Sequence, residues 1–161
     1  MPKVALIMGS KSDWPSLKGC VDVLKKFEIE VEVHVASAHR TPETVAVFAA
    51  NARENGFVII AAAGKAAHLA GVIAGHTTLP VIGIPVKSSF MDGLDSLLST
   101  VQMPTGIPVA TVAVGGGDNA AYLAAQMLSI KYPILAEKLL AHREQMAAAI
   151  EADDRQIQDE V

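Results

Sequence analysis

Two adjacent residues, His39 and Arg40, have side chains suited to proton transfer and to anion binding. The guanidinium of arginine is a permanent cation whose planar fork fits phosphate, and histidine can give or take a proton near neutral pH. Thr41 is a good helix N-cap and Pro42 suits a first helical position, so free backbone N–H groups should lie close by. The pair suggests an enzyme that acts on a phosphorylated substrate, although an exposed pair without a function would have the same sequence.

Two further loops contain residues of related chemistry. Residues 9–13 (Gly-Ser-Lys-Ser-Asp) offer hydroxyls that suit a phosphate and a carboxylate that suits ribose hydroxyls, although simple helix capping would also explain Ser12 and Asp13. This loop is neither a dinucleotide-binding fingerprint nor a Walker A loop. Residues 64–68 add a lysine and a histidine. The candidates from the residues alone are Ser10, Ser12, Asp13, His39, Arg40, Lys65 and His68.

The spacing of apolar residues predicts five strands, each followed by a helix. The first helix is expected to begin with Ser12 or Asp13 as its N-cap and to bury Cys20, the single cysteine. The fourth helix is expected to bury Leu94, Leu97, Leu98 and Val101. The predicted strands are 4–8, 30–36, 57–62, 80–85 and 109–114, and the later helices are 41–55, 68–75, about 91–101, 119–130 and about 134 to the acidic end.

Five such units without a change in composition predict an α/β fold: a three-layer sandwich around a five-stranded parallel sheet. Strand order cannot be read from a sequence, but the flavodoxin-like order 2-1-3-4-5 is favoured for five units, and ligands then bind outside the carboxyl ends of the strands. In that order strand one lies between strands two and three. The loops at 9–13, 37–42 and 64–68 therefore become neighbours.

The last helix follows a sheet that is already complete. We expect one catalytic domain over residues 1–161, with about 133–161 packing on a neighbouring subunit, although packing on its own domain is nearly as plausible. The apolar stripe that suggests a partner comprises Ile134, Leu135, Lys138, Leu139, His142, Met146, Ala149 and Ile150.

Composition excludes several classes of function. Apolar residues are 51% of the chain and charged residues 19%, a balance that suggests surface hidden between copies. A net charge of −4 and 4% aromatic residues argue against nucleic acid and against a flavin site. The apolar stretch 58–86 is broken by glycines and prolines, which argues against a membrane span. The N-terminus lacks the form of a signal peptide, so a cytoplasmic protein is expected.

Metal binding is not expected, because no carboxylate or cysteine stands at ligand spacing from His39 or His68. The remaining histidines, His34, His76 and His142, have no supporting neighbours in the sequence. We expect them to be surface or packing residues.

Four segments in order resemble the motifs of the N5-carboxyaminoimidazole ribonucleotide mutase family, the catalytic subunit of phosphoribosylaminoimidazole carboxylase in purine synthesis. They are residues 8–14 (Met-Gly-Ser-Lys-Ser-Asp-Trp), 37–42 (Ser-Ala-His-Arg-Thr-Pro), 66–69 (Ala-Ala-His-Leu) and 99–104 (Ser-Thr-Val-Gln-Met-Pro). The resemblance extends to residues 79–83 and 119–121 and so covers nearly the whole chain.

The resemblance implies a flavodoxin-like octamer whose active sites draw on more than one chain, without a metal or an organic cofactor. It implies that His39 is the general acid and base, that Ser10, Ser12 and Arg40 hold the 5′-phosphate, and that Asp13 holds the ribose. The residues implied to shape the pocket for the base and its carboxylate are Ser37, Ala38, Gly64, Ala67, His68 and Leu69.

The segment Ala-Ala-His-Leu resembles the mutase class, which moves a carboxyl group through trapped carbon dioxide. Two alternatives stay open: a carboxylase that uses free carbon dioxide and aminoimidazole ribonucleotide, and a non-catalytic domain that binds a phosphorylated metabolite. The chain departs from the family pattern at two places. Lys65 stands where many relatives have glycine, and the loop at residues 115–118 is shorter than the lysine-containing loop often seen there.

Overall fold

Five parallel strands form the centre of the fold, in the order β2-β1-β3-β4-β5 across the sheet. The computed structural model describes residues 1–56 and 58–161, so Phe57, the predicted first residue of strand three, lies outside the described residues. The parallel sheet and its order are confirmed. The strands are β1 Lys3–Met8, β2 Glu30–Val35, β3 Val58–Gly64, β4 Val81–Val86 and β5 Ala110–Thr111.

The central strands are continuous apolar runs because helices cover both of their faces. Within β1, Leu6 is fully buried and lies opposite Val33 of β2 on one side and Ile60 of β3 on the other. Strand β2 is at the edge of the sheet, and most of its residues are exposed.

In the part of the chain that the structure describes, six helices complete the three layers predicted from the sequence. Leu6 and Ile60 pack in one core with residues of α1 and α5, whereas Ala5 and Ile59 pack in a second core with residues of α2 and α3. Alternate residues of a strand therefore serve opposite layers. The helices are α1 Trp14–Lys26, α2 Pro42–Asn55, α3 Leu69–His76, α4 Leu94–Val101, α5 Gly117–Ser129 and α6 Pro133–Glu160.

The predicted N-cap positions of α1 and α2 are confirmed at Asp13 and Thr41, but neither side chain caps its helix. A short 3-10 turn, Lys11–Asp13, precedes α1, and the side chain of Ser10 accepts a hydrogen bond from the Ser12 N–H at this turn. Asp13 occupies the N-cap position of α1 without a side-chain cap bond. Thr41 likewise precedes α2, but its hydroxyl bonds the backbone of Ser37 instead of the helix. The polar side chains expected at these caps thus organise the loops.

Strand five is shorter than predicted. Its regular ladder contains only Ala110 and Thr111, whereas the prediction covered 109–114. The chain beyond it still bonds β4, since the N–H of Val112 donates to Gly83 and the N–H of Gly115 donates to Pro85. Irregular pairing therefore replaces the predicted end of the strand.

The prediction for α4 was wrong about which face is buried. Leu94, Leu98 and Val101 are 43%, 48% and 43% exposed, while the buried residues of the helix are Ser96 and Thr100. Both hydroxyls donate to backbone carbonyls, Ser96 to Val86 and Gly93 and Thr100 to Ser96. Small hydroxyl residues let α4 approach β4 closely without leaving an unpaired polar group. Leu94 and Leu98 face outward as a result, and Leu97 is half-buried.

Helix α6 packs only at its start. Leu135 is buried, and Leu139 and His142 are half-buried, but every residue from 143 to the end of the helix is exposed. Lys138 ties this first part to the body through an ion pair of 2.5 Å with Glu28. The stripe beyond it, including Met146 and Ile150, is uncovered in the single chain.

Candidate active site

A cleft of about 580 Å³ opens at the carboxyl edge of the sheet. It is lined by the loops that follow β1, β2, β3 and β4, so the structure brings together the three loops that the sequence grouped. The predicted site residues that line it are Ser10, Ser12, Asp13, Ser37, Ala38, His39, Arg40, Gly64, His68 and Leu69.

The cleft differs from the prediction at two places. Ala67 is 1% exposed and does not line the cleft. Lys87 and Ser88, which follow β4, line the cleft and were missed. The signal was available, because β4 lies next to β3 and its carboxyl end must reach the same edge.

Arg40 crosses from the β2 loop to the β1 loop. Its Nη2 donates to the carbonyl of Gly9 at 2.7 Å, and its Nε donates to the Ser37 hydroxyl at 3.3 Å. The same hydroxyl accepts from the Arg40 backbone N–H at 3.1 Å. These bonds fix the guanidinium while leaving donors for an anion, which is the arrangement expected of a phosphate-binding arginine.

Hydroxyls and a carboxylate lie beside this guanidinium. The Ser12 hydroxyl donates to the Ser10 hydroxyl at 2.9 Å. Burial raises the pKa of Asp13, and the Ser10 N–H and the charge of Arg40 offset this in part. One end of the cleft therefore offers serine hydroxyls, an arginine and an acid within reach of one polar ligand.

His39 and His68 meet across the cleft. His39 Nε2 and His68 Nδ1 are 2.9 Å apart, with the rings nearly perpendicular at 79°. One of these nitrogens must carry the proton of this hydrogen bond while the other accepts it. The contact orients His39 by a residue of another loop and gives the proton a place to move, an arrangement suited to general acid–base chemistry.

The two departures from the family pattern lie in different places. Lys65 lines the cleft and has a left-handed backbone, with φ of 54°. The loop at 115–118 packs on α1 instead, where Asp118 lies against Gly19. Burial and the charge of Asp118 raise the pKa of the Cys20 thiol to about 12. Cys20 is therefore a neutral core residue, as predicted.

The remaining histidines also pack or lie at the surface. His34 lies beside Glu32 and against the ring of Phe48, His142 stacks on Tyr122, and His76 is exposed. Across residues 1–56 and 58–161, the side chains include no cluster of three or more histidines, cysteines or acids able to hold a metal ion. In the same described residues, none of the helices has the length and apolarity needed to cross a membrane.

A family model described as AIR carboxylase matches residues 3–149 of the sequence. The chain belongs to the AIR carboxylase family.

Similar members of the AIR carboxylase family carry a more specific name. A protein of Pyrococcus abyssi named N5-carboxyaminoimidazole ribonucleotide mutase is 58% identical over 91% of this chain and 84% of its own length. A protein of Methanocaldococcus jannaschii with the same name is 49% identical over 97% of this chain and 98% of its own. The crystal structure of Treponema denticola PurE superposes with a TM-score of 0.87 at 30% identity, over 97% of this chain and 98% of that one.

Proposed function

We propose that this protein is an N5-carboxyaminoimidazole ribonucleotide mutase of purine (IMP) biosynthesis. It converts that substrate to 4-carboxy-5-aminoimidazole ribonucleotide. The observation that carries the proposal is that an arginine fixed beside two serines and the His39–His68 pair open into one cleft. The names of relatives that are 49–58% identical support the same activity.

The polar end of the cleft binds the ribose phosphate. Arg40 pairs with the 5′-phosphate, and the hydroxyls of Ser10 and Ser12 donate to its oxygens. Asp13 accepts from the ribose hydroxyls, as its position between the serines and Arg40 supports. Ser37 contributes by holding the guanidinium of Arg40 in place.

The opposite end holds the base and its carboxylate. Ala38, Gly64 and Leu69 provide small or apolar walls there, and His68 closes the space beside His39. Ala67, which is buried next to His68 in the chain, shapes the pocket indirectly through the loop after β3. Such a wall retards the escape of an apolar gas molecule and limits the entry of water.

His39 moves the proton in both halves of the reaction. Protonated His39 gives its proton to the exocyclic nitrogen, the bond from that nitrogen to the carboxyl carbon breaks, and its electrons stay on the nitrogen as carbon dioxide leaves. Carbon 4 of the ring then forms a bond to the trapped carbon dioxide. Neutral His39 takes the proton from carbon 4, which restores the aromatic ring and returns His39 to its starting state.

The whole chain acts as one catalytic domain in a cytoplasmic homo-octamer. The uncovered apolar side chains of α4, among them Leu94 and Leu98, support burial against other copies, as does the exposed length of α6. We assign residues of about 133–161 to contacts with a neighbouring subunit. Active sites shared between chains follow from the same arrangement.

The family description also supports a second candidate, a carboxylase that combines free carbon dioxide with aminoimidazole ribonucleotide. The test is turnover of N5-carboxyaminoimidazole ribonucleotide in ¹³C-labelled bicarbonate, with the product analysed by mass spectrometry. A mutase keeps the substrate's own carboxyl group, so the product should contain almost no label during the first turnovers. Full equilibration of the label with the product from the start would favour the carboxylase.

A further inference from the structure

Lys65 has a backbone conformation that disfavours a lysine. Its φ of 54° lies in the left-handed region, where an L side chain is strained and glycine is not. The side chain is exposed, so burial of its methylenes in a core does not offset this strain. A strained residue at the wall of a cleft points to a role for its side chain in that cleft.

The ammonium of Lys65 has no ion-pair or hydrogen-bond partner within residues 1–56 and 58–161. Lys87, the neighbouring lysine of the cleft, is held by Asp92 at 3.2 Å instead. Three cations line the cleft, Arg40, Lys65 and Lys87, against one acid, Asp13. The cleft of a chain with net charge −4 is therefore locally positive, and Lys65 is a cation in it that is available to a ligand.

The position of Lys65 separates it from Arg40. Arg40 follows β2 and Lys65 follows β3, with β1 between them, so two strand spacings of about 5 Å each separate their loops. The His39–His68 pair joins the same two loops. Consider a ligand whose phosphate pairs with Arg40 and whose reacting group lies at the two histidines. Its reacting group then points toward the loop that contains Lys65.

We propose that Lys65 is a specificity-determining residue whose ammonium pairs with the carboxylate carried by the base, in the substrate and in the product. This inference rests on the proposed function and adds to it a second anion contact, at the end of the cleft away from the phosphate. The contact exists only while the carboxyl group is attached, since carbon dioxide carries no charge. Lys65 therefore favours the carboxylated ligands over aminoimidazole ribonucleotide.

Binding of two ligands tests the proposal. Calorimetric titration compares 4-carboxy-5-aminoimidazole ribonucleotide with aminoimidazole ribonucleotide, which has the same phosphate and ribose but no carboxylate. The variant Lys65→Met should bind the carboxylated ligand about tenfold more weakly, the effect of one lost charge-assisted contact, and should bind aminoimidazole ribonucleotide as the wild type does. KM should rise more than kcat falls. Lys65→Arg should restore most of the affinity.

Two further variants separate charge from strain. Lys65→Gly relieves the left-handed strain and also removes the charge, so it should bind the carboxylated ligand as weakly as Lys65→Met. A glycine variant with wild-type affinity would overturn the proposal, because the methionine variant would then have acted through the backbone. Lys18→Met, which removes an exposed lysine of α1 outside the cleft, should leave both affinities unchanged.

The outcomes also distinguish this inference from the function on which it rests. Equal weakening of both ligands, or of neither, in Lys65→Met overturns the role of Lys65 and leaves the mutase proposal standing if the wild type turns over its substrate. A wild type that binds the carboxylated ligand through Lys65 but has no mutase activity overturns the proposed function alone. A wild type that binds neither ligand overturns both.

Discussion

At the scale of single residues, the hydrogen bond between His39 and His68 engages one of the two ring nitrogens of His39. Nε2 of His39 is engaged with His68 at 2.9 Å, so Nδ1 is the ring nitrogen that this contact leaves unengaged. A general acid and base works best when its ring is held in one orientation. We therefore expect His68 to act on His39 as a positioning residue as well as to close the pocket.

Replacing His39 tests its assigned role. His39→Asn should lower kcat by at least about 100-fold, the lower end of the effect of losing a general acid and base. The affinity for product should change little, because Arg40 and the serines remain. Steady-state kinetics and product titration measure the two effects. His76→Asn, at an exposed histidine of α3, is the matched control and should be fully active; a His39 variant within tenfold of the wild type would contradict the assignment.

Asp13 links the site to stability. Burial raises its pKa above the ordinary value, so the folded chain holds this proton more tightly than the unfolded chain does. Stability is therefore greatest below the unfolded pKa and falls as the pH rises through the folded pKa. Because asparagine does not titrate, Asp13→Asn avoids this fall in stability with rising pH. It should stabilise the fold near neutral pH by less than about 1 kcal/mol, since the partly exposed group is screened by water.

Urea unfolding at acid and neutral pH measures this effect. The difference between Asp13→Asn and the wild type should vanish in acid, where Asp13 is protonated in both states. At neutral pH the variant should be the more stable protein but should bind the ribose phosphate more weakly. A variant less stable than the wild type at neutral pH would show that the bond from the Ser10 N–H outweighs the cost of burial.

The charges of Arg40 and Asp13 follow from the residue types, and the structure places both residues in one cleft; their roles in binding stay predictions. The pairing of His39 with His68 could not be predicted, since it depends on ring orientations across two loops 29 residues apart in the chain. Lys87 and Ser88 were missed for a different reason. The rule that ligands bind outside the carboxyl ends of the strands grouped the loops after strands one to three, although it holds equally for the fourth strand.

At the scale of elements, α4 can approach the sheet closely because Gly83 of β4 has no side chain. A Cβ at Gly83 of β4 would collide with Cγ2 of Thr100 and lie 3.0 Å from Cγ1 of Val109. The hydropathy pattern of α4 predicted the opposite face, because leucines usually face a core. What decides the orientation is the fit of Ser96 and Thr100 at this contact, where both hydroxyls are satisfied by the backbone. A one-dimensional pattern does not contain that fit.

A pair of glycine substitutions tests this account. Gly83→Ala should destabilise the chain by about 1–3 kcal/mol, the usual cost of overpacking a core. Gly75→Ala is the control within the neighbouring helix α3, where an added Cβ meets nothing within 4 Å. There the better helix propensity of alanine should stabilise by up to about 1 kcal/mol. Denaturant unfolding measures both; if the two variants changed stability in the same direction, the close contact at Gly83 would not be what positions α4.

At the scale of the whole molecule, the exposed face of α4 adjoins the site. Leu98 lines a second cleft of about 410 Å³ together with Gln102 and Met103, and His68 borders both this cleft and the first. Phe90 and Met91, just before α4, are 66% and 53% exposed. The resemblance predicted active sites drawing on more than one chain, and a neighbouring copy seated on this surface would close the site beside His68. Sequence composition suggested surface hidden between copies, but only the fold shows which apolar side chains are exposed.

A single charge on this surface should therefore affect assembly and activity together. Leu98 is 48% exposed in the isolated chain, so Leu98→Asp should leave the fold of each chain intact but place a charge where the proposed neighbour packs. The wild type should have a solution mass about eight times the 16.9 kDa of one chain, and the variant should be smaller and at least about tenfold less active. Light scattering after gel filtration measures the mass of the assembly, and circular dichroism checks folding.

Asn51→Asp adds the same charge to the exposed side of α2 and is the matched control. An assembled but inactive Leu98→Asp would assign this surface to the substrate instead of to a neighbour, while a smaller variant with full activity would show that each chain contains a complete site.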